Sequence, residues 1–377
     1  MASTPVRVLH LCAGNLYGGV ERIVAECARS RALCPEMQPL FAVSFDGRLS
    51  RELDAEGVTC VRLGAVRFSR PQTIWRARRA LSRLLAAERP DAVVCHSSWM
   101  FAVAAPTVRK TDARLALWFH DRVSGRPWAE RWARRTRPDL IICNSQFTRA
   151  SVSHLFEGIE SRVVYAPVNP GHPLDSTERE ALRRSFGVLQ DEPLILIASR
   201  FEEWKGHRLL LDALTAVRGT WRLWIAGTPQ RPHEEVYLGS LQSRVASSGL
   251  RNRVTFLGER GDVAALMRAA DIHCQPNTAP EPFGLVFVEA LYAGLPVVTT
   301  AMGGACEIVT DECGVLAPSQ DAQALAAALE RLTTDPAERR RLGAGGPARA
   351  RQLCDPASQL AALSDAVQSP VRQHAIT

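Results

Sequence analysis

Two carboxylates flank a glycine-containing helix start in the second half of the chain. Glu281 lies between Pro280 and Pro282, and Glu289 follows eight residues later. Because a residue that precedes proline is pushed out of the helical region, Glu281 is expected on a loop, and the helix is expected to begin near Phe283. Glu289 would then lie about 9 Å further along the helix axis. The two carboxylates could therefore contact different parts of one elongated ligand.

The backbone between these carboxylates offers hydrogen-bond donors. The N–H groups of Phe283, Gly284 and Leu285 lie at the predicted helix start, where unpaired donors and a partial positive charge attract phosphate. Gly284 has no side chain, so a ligand can come close to it. The pattern predicts binding of a phosphorylated ligand. One alternative stays open: Glu281 is a solvated loop carboxylate, and Glu289 is a buried one paired with an arginine.

A pair of cations follows an apolar, strand-like run in the same half of the chain. Arg200 comes just after the run 194–198, and Lys205 and Gly206 follow before a predicted helix at 209–217. Two fixed cations on a strand-to-helix loop can clamp a diphosphate.

The first half contributes a glycine pair and two histidines. Gly18 and Gly19 lie between a predicted strand and a predicted amphipathic helix, without the dinucleotide fingerprint G-x-G-x-x-G. His96 and His120 each follow a predicted strand, and ligands of open parallel sheets bind at the carboxyl ends of strands. The glycine pair can also be only a turn, and either histidine can instead satisfy backbone groups at its strand end.

Alternating strands and helices must position these residues. The alternation of apolar runs with helix-length segments predicts α/β architecture with two Rossmann-like domains, each with a mainly parallel sheet. A stretch with three prolines, 167–173, separates the two halves. We predict domains at 1–168 and 176–355, a linker at 169–175 and a partly loose segment at 356–377. Strands are predicted at 6–12, 39–45, 58–63, 91–95, 114–119, 139–143, 162–166, 194–198, 222–227, 254–258 and 271–274.

Taken together, these motifs resemble the retaining glycosyltransferases of the GT-B fold, in particular glycosyltransferase family 4. Glu281 and Glu289 match the family's Glu-x7-Glu signature, and Arg200 and Lys205 match its Arg-x4-Lys pattern. The resemblance implies that Glu281 holds hydroxyls of the donor sugar and that Glu289 binds the ribose. It also implies that the helix start meets the diphosphate, while Arg200 and Lys205 neutralise the leaving group.

The same resemblance assigns roles to the first domain. Gly18 and Gly19 are similar to the family's first glycine loop, which approaches the donor diphosphate. His120 is similar to the strand-end histidine beside the transferred sugar, with a hydroxyl-positioning or electrostatic role, and His96 is the alternative. The family has an interdomain cleft, with the acceptor on the N-terminal side and the donor on the C-terminal side. Asn169 receives no role, because the chain departs there from the family pattern.

The predicted reaction needs no cofactor and no metal. The sequence contains no Asp-x-Asp, so a metal-chelated diphosphate is not expected. The expected co-substrate is a UDP- or GDP-sugar, and the acceptor is an unidentified hydroxyl on a glycan, a lipid-linked molecule or a small molecule. The resemblance implies front-face transfer with retention of configuration. The alternatives are a non-catalytic nucleotide-sugar binding protein and a GT-B-like sugar-nucleotide epimerase.

Composition narrows the remaining classes. The net charge of +7 admits nucleic acid, an anionic membrane or phosphorylated substrates, but no nucleic-acid-binding module is recognisable, so no nucleic acid partner is expected. The ten cysteines are scattered without a C-x-x-C pair, which favours reduced, mostly buried thiols over disulfides or zinc. The start of the chain does not resemble a signal peptide, and a cytoplasmic location is expected.

One segment could reach a membrane. Residues 67–89 are basic and amphipathic and include Trp75, a pattern typical of helices that lie on anionic lipid. Peripheral contact with the inner membrane face is therefore a hypothesis. The alternative is an arginine-rich solvated face on a helix that packs through its apolar side.

Overall fold

The structure is a computed structural model, and it describes residues 4–369. The chain divides into two compact units, one formed by residues up to Asn169 together with those from Cys354 onward, the other by Pro170–Leu353. Each unit has one sheet, of seven and six strands, and every strand pair in both sheets is parallel. The predicted pair of parallel α/β sheets is confirmed.

The first unit has the strand order β3-β2-β1-β4-β5-β6-β7. Its strands are β1 (Val6–Cys12), β2 (Met37–Val43), β3 (Cys60–Arg62), β4 (Ala92–Cys95), β5 (Arg114–Phe119), β6 (Leu140–Cys143) and β7 (Ser161–Val163). Its helices before Asn169 are α1 (Gly19–Arg29), α2 (Arg48–Ala55), α3 (Pro71–Glu88), α4 (Ser98–Val108), α5 (Trp128–Ala133) and α6 (Gln146–Ala150).

Buried apolar side chains on both faces hold this sheet between its helices. Leu9 and Leu11 of β1 pack in one apolar cluster with side chains of α3 and α4. Cys12, at the end of the same strand, packs in a second cluster with side chains of α1 and α2. Strands covered on both faces need apolar residues at successive positions, which is why β4 and β6 are continuous apolar runs.

The second unit has the strand order β10-β9-β8-β11-β12-β13. Its strands are β8 (Leu194–Ala198), β9 (Arg222–Ala226), β10 (Val254–Gly258), β11 (Ile272–Gln275), β12 (Val297–Thr300) and β13 (Gly314–Ala317). Its helices are α7 (Ser176–Ser185), α8 (His207–Leu214), α9 (Pro232–Ser247), α10 (Val263–Ala269), α11 (Leu285–Tyr292), α12 (Ala305–Ile308), α13 (Ala322–Thr334) and α14 (Pro336–Cys354).

The C-terminal helix α15 (Pro356–Gln368) packs with the first unit, against α1. Arg114 of β5 donates hydrogen bonds to the carbonyl oxygens of Ala366 and Val367, at 2.9 and 3.1 Å. The division into units thus places α15 with residues before Asn169, whereas the sequence predicts a separate, partly loose segment at 356–377. Residues 370–377 lie outside the described residues.

The ten cysteines form no disulfide, and all except Cys306 are buried. Along residues 4–369, no helix is both long enough and apolar enough to cross a membrane.

Candidate functional site

The second sheet reverses its strand order between β8 and β11, at the centre of the unit. In open parallel sheets, such a switch point leaves a crevice at the carboxyl ends of the two strands, where ligands bind. The loop after β8 carries Arg200 and Lys205, and the loop after β11 carries Asn277 and Glu281. The topology therefore brings the two predicted motifs to the same crevice.

An ion pair joins these two loops. Lys205 Nζ lies 2.6 Å from Glu281 Oε2, and the two side chains are only 14% and 13% exposed. Asn277 Nδ2 donates to the same carboxylate oxygen at 3.2 Å. Lys205 Nζ also lies 3.9 Å from the centre of the Trp204 ring, a cation–π contact. The ammonium and the carboxylate are thus held in fixed positions.

Buried polar groups behind Glu281 keep this arrangement in place. Gln275 Nε2 donates to Asn277 Oδ1 at 3.0 Å, and the hydroxyl of Thr300 in β12 donates to the Asn277 carbonyl at 2.6 Å. The N–H of Gly304 donates to the Glu281 carbonyl at 2.8 Å. Asn277 is absent from the predicted site. Its signal in the sequence is the polar pair Gln275 and Asn277 at the end of an apolar strand.

Arg200 has its own carboxylate partners. Its guanidinium lies 2.7 Å from Glu202 Oε1 and 3.7 Å from Glu234 Oε1 on α9. Glu234 is fully buried and also accepts the N–H of Gln230 at 2.8 Å. Arg200 and Lys205 are therefore anchored to different carboxylates, and the diphosphate clamp stays a prediction. Glu234 is a second residue that the sequence motifs do not reveal.

The predicted helix start near Phe283 is wrong by two residues. Helix α11 begins at Leu285, and Phe283 is a buried loop residue. Gly284 caps the helix with a φ of +106°, which is incompatible with helical geometry and favours glycine. A Cβ there would lie 2.4 Å from the Phe287 ring. The first helical donors therefore belong to Leu285 and the residue after it, and Phe283 lies outside the helix.

Glu289 is consequently closer to the helix start than predicted. It is the fifth residue of α11, about 6 Å along the axis from Leu285, and its side chain is half-buried. A half-buried carboxylate at this depth can still reach a ligand that sits at the helix start. The ribose-binding role stays a prediction.

Close packing of backbone connects the two loops at a second point. Gly206 has a φ of +80° and forms the N-cap of α8. A Cβ at Gly206 would lie 1.9 Å from the carbonyl oxygen of Pro276, one residue before Asn277. Only glycine therefore lets the backbone after Lys205 approach the loop that carries Glu281.

The first sheet reverses its order between β1 and β4. Helix α1 begins at Gly19 with Gly18 as its N-cap, which confirms the predicted strand, glycine turn and helix. The N–H of Gly18 donates to Glu21 Oε2 at 3.0 Å. The approach of this loop to a diphosphate stays a prediction.

His120 follows β5 directly and is 9% exposed. Its Nε2 lies 3.1 Å from Nδ1 of His96, so the two alternative candidates of the sequence are neighbours. Burial lowers the pKa of His120 to about 3. The ring is therefore neutral near pH 7, and any role in the site is that of a neutral hydrogen-bonding group rather than a cation.

Buried histidines predict how stability depends on pH. In the second unit, burial lowers the pKa of His273 from 6.5 to about 3. Between about pH 3 and 6.5 the unfolded state therefore binds more protons than the folded state. The contribution of His273 to the free energy of unfolding is fully present above about pH 6.5 and is lost as the pH drops toward 3. Each such group contributes about 1.4 kcal/mol per pH unit within this window.

Urea unfolding of the second unit between about pH 4.5 and 6 should show this slope, and His273→Leu should reduce it by about 1.4 kcal/mol per pH unit. Cys274→Ala on the same strand is the matched control. Burial raises the pKa of the Cys274 thiol, so this substitution changes packing but not the slope. An identical slope in His273→Leu and the unmodified protein would contradict the assignment.

No group of three or more His, Cys, Asp or Glu within residues 4–369 has an arrangement that could hold a metal ion.

Two protein-family models match consecutive parts of the chain. Residues 17–172 match Glycosyltransferase Family 4, and residues 178–349 match Glycosyl transferases group 1. The chain belongs to the group 1, family 4 glycosyltransferases. The predicted family is thereby confirmed, and the matched regions contain all the predicted site residues.

Curated relatives carry related names. A D-inositol 3-phosphate glycosyltransferase of Xylanimonas cellulosilytica is 32% identical over 280 residues, which cover 71% of this chain and 64% of that protein. A phosphatidyl-myo-inositol mannosyltransferase of Mycobacterium leprae is 39% identical over 159 residues, or 40% of each chain. This glycosyltransferase chain thus matches less than two thirds of the length of either relative.

Solved structures share the fold. The Anabaena protein HepE in complex with UDP and glucose superposes with a TM-score of 0.85 at 24% identity, over 97% of this chain and all of that one. This likeness confirms the GT-B architecture predicted from the sequence.

Proposed function

We propose that this protein is a glycosyltransferase that moves a hexosyl-type group from a nucleoside-diphosphate sugar to a hydroxyl of an acceptor. The observation that carries the proposal is the Lys205–Glu281 pair at the switch point of the second sheet. In this proposal the ammonium of Lys205 binds a phosphate, and the neighbouring carboxylate of Glu281 binds sugar hydroxyls. Membership of the glycosyltransferase family supports the same reading.

The ion pair can remain intact when an anionic ligand binds. An ammonium has three donors, so Lys205 can keep its bond to Glu281 and still donate to a phosphate oxygen. Glu281 in turn accepts hydrogen bonds from sugar hydroxyls through its remaining lone pairs. Because Lys205 and Glu281 already hold each other, little reorganisation is needed when the nucleotide sugar binds.

We assign the remaining roles by the same chemistry. Arg200 shares the charge of the diphosphate with Lys205, and the start of α11 at Gly284 and Leu285 adds backbone donors. Glu289 binds the ribose hydroxyls. In the first unit, the loop at Gly18 and Gly19 approaches the diphosphate, and His120 acts as a neutral hydrogen-bonding group for the transferred sugar.

The proposed reaction retains the anomeric configuration and proceeds without a metal. The bond from the anomeric carbon to the phosphate oxygen breaks, and its electron pair stays on the phosphate. The acceptor oxygen bonds to the same face of the anomeric carbon, and its proton passes to the departing phosphate. Lys205 and Arg200 stabilise the charge that develops on this leaving group.

Isothermal titration with UDP, GDP, ADP and their sugar conjugates tests the donor site. We expect one nucleotide to bind with equal affinity in magnesium and in EDTA. Glu289→Ala should weaken binding by about 10–100-fold, the effect of losing hydrogen bonds to a charged group at about 1.5–3 kcal/mol. Glu235→Ala, on the exposed side of α9, is the control and should bind normally.

The absence of binding to every nucleotide would overturn the proposed function, and binding only with magnesium would overturn the metal-free mechanism. Turnover of the bound sugar nucleotide with an acceptor separates a transferase from a non-catalytic binding protein. Conversion of the donor without any acceptor would instead indicate an epimerase.

The proposed acceptor is a hydroxyl of a glycan, a lipid-linked molecule or a small molecule, and a lipid-linked acceptor would suit peripheral membrane contact through residues 67–89. Helix α3 buries its apolar face, including Leu81 and Leu85, within the first unit. Its outer face presents arginines and Trp75, which is 60% exposed and stacks with Arg79 at 5.5 Å. Membrane contact would therefore depend on this outer face alone.

Flotation with vesicles that contain anionic lipid tests this contact. The protein should float with anionic vesicles and stay at the bottom with neutral ones, and a Trp75→Ala, Arg79→Ala double variant should lose flotation. The same substitutions should leave nucleotide binding unchanged. Absence of the unmodified protein from the anionic vesicle fraction would remove the hypothesis, and α3 would then be a solvated helix face.

A further inference from the structure

Three histidines form a hydrogen-bonded chain across neighbouring strands of the first sheet. His10 lies within β1, His96 follows β4 and His120 follows β5. His10 Nδ1 lies 2.9 Å from His96 Nε2, and His96 Nδ1 lies 3.1 Å from His120 Nε2. The adjacent rings stack, with centres 5.2 and 5.3 Å apart. This histidine chain links the core of the sheet to its carboxyl edge.

The histidine chain has two open ends. His10 Nε2 and His120 Nδ1 are buried, and neither has a hydrogen-bond partner among the described residues. The exposed fraction of the whole residue rises from 0% at His10 to 2% at His96 and 9% at His120. Although Nδ1 of His120 is itself covered, the His120 end lies nearest to solvent and is the end that a ligand would approach.

All three rings are neutral in the folded protein near pH 7. Burial lowers the pKa of His10 to about 4 and that of His120 to about 3. The pKa of His96 is lowered well below its usual range, first by burial and then by the two neighbouring rings. A neutral imidazole has one N–H donor and one acceptor nitrogen, so the histidine chain allows only two proton arrangements.

In one arrangement all three rings carry the proton on Nδ1, and the unpartnered donor is at His120. In the other, all three carry it on Nε2, and an unpartnered N–H lies at His10 in the fully buried core. Buried N–H groups without partners are the rarer defect in proteins, and the N–H at His120 is the one that a ligand oxygen can satisfy. The first arrangement is therefore favoured.

We propose that His10 and His96 are positioning residues that hold His120 in the tautomer with its proton on Nδ1, so that His120 donates a hydrogen bond to a ligand oxygen. The role of this donor rests on the proposed function, because the oxygen would belong to the nucleotide sugar or its acceptor. No proton is transferred in this role. The chain of rings fixes the direction of one hydrogen bond.

Long-range proton–nitrogen NMR spectra of the full chain with 15N-labelled histidine test the proposal directly. We expect His10, His96 and His120 all to carry the proton on Nδ1, the opposite of the tautomer that free histidine favours. Observation of the proton on Nε2 of His120 in the unmodified protein would overturn the proposal. This measurement needs neither a variant nor a known substrate.

A variant separates positioning from packing. His96→Phe keeps an aromatic ring beside Trp118 but removes both hydrogen bonds of the histidine chain. His120 should then return to the Nε2 tautomer. The control is His273→Phe, at a buried histidine of the second unit, which should leave the three signals unchanged. Retention of the proton on Nδ1 of His120 in His96→Phe would overturn the positioning role of His96.

Kinetics with the nucleotide sugar identified by titration add a functional readout. His96→Phe should lower kcat about fivefold, the effect of losing one neutral hydrogen bond, while the Kd for the nucleotide stays unchanged. An unchanged kcat would overturn the functional part of the proposal. If no nucleotide binds, but the NMR tautomers are as expected, then the proposed function fails and the tautomer assignment stands.

Discussion

Replacing Lys205 with alanine should lower kcat for glycosyl transfer by about 10²–10³-fold, which corresponds to a loss of about 2.7–4 kcal/mol of transition-state stabilisation. The reason is electrostatic: charge develops on the departing phosphate in a half-buried crevice, where a fixed ammonium acts strongly. Steady-state kinetics with the nucleotide sugar that binds in titration would measure the loss. Arg200→Ala should act in the same direction, because its guanidinium is also fixed by carboxylates.

The Lys205–Glu281 pair complicates the interpretation of a single substitution. Removal of Lys205 leaves Glu281 without its cation, so part of the loss would reflect a displaced carboxylate. Glu281→Gln alone and the double variant complete a mutant cycle that separates the two effects. Arg218→Ala, at an exposed cation of the same unit, is the control. A near-normal kcat in both Lys205→Ala and Arg200→Ala would refute their assignment to the leaving group.

Gly206→Ala should damage the second unit strongly, although it adds only one methyl group. The new Cβ would lie 1.9 Å from the Pro276 carbonyl oxygen, so the loops that carry Lys205 and Glu281 must move apart. We expect the free energy of unfolding to fall by about 1–3 kcal/mol, the usual effect of overpacking, in addition to any effect of backbone strain. The Tm of the second unit should fall by about 2–4 °C for each kcal/mol of stability lost, and the affinity for the nucleotide should fall as well.

Gly219→Ala provides a matched control for the backbone. Gly219 has a φ of +81°, against +80° at Gly206, but a Cβ there would meet no atom within 4 Å. The two variants therefore share the strain of a left-handed alanine and differ only in the contact with Pro276. Equal stability and equal nucleotide binding in the two variants would show that the close approach of the loops is unimportant.

The sheets could be predicted from the sequence, because parallel strands covered on both faces are continuous apolar runs. Strands β5, β8 and β10 have the predicted limits. Strand β2, predicted at 39–45, lies at 37–43 because it continues through Pro39. Proline is tolerated at Pro39 because β3 pairs with β2 only from Phe41 onward, which leaves that side of the strand open. The sequence does not predict strands β12 and β13, each of which has only four residues, and β13 begins with a glycine.

The site was predictable as a set of motifs but not as a set of contacts. Lys205 and Glu281 are far apart in the chain, and their pairing follows from β8 and β11 being neighbours in the sheet. The same reason applies to Asn277, whose role depends on hydrogen bonds from neighbouring loops and strands. The helix start was misplaced because the positive φ of Gly284 cannot be read from its residue type alone.

The contacts of the histidine chain likewise cannot be predicted from local sequence. His10 is an interior strand residue with no sign of function in its local sequence, and it meets His96 only because β1 and β4 are adjacent. Local patterns thus predict His96 and His120 as alternatives, whereas in the sheet the two side chains are hydrogen-bonded to each other.

The assignment of α15 to the first unit has a consequence for how the protein is made. This unit is built from two separated stretches of chain, with Pro170–Leu353 inserted between them. During translation, residues up to Asn169 leave the ribosome long before the helix that packs on α1, and at roughly 5–20 residues per second the delay is about ten seconds or more. Most of the second unit, which extends to Leu353, can therefore emerge and begin to fold while part of the apolar surface of the first unit is still uncovered by α15.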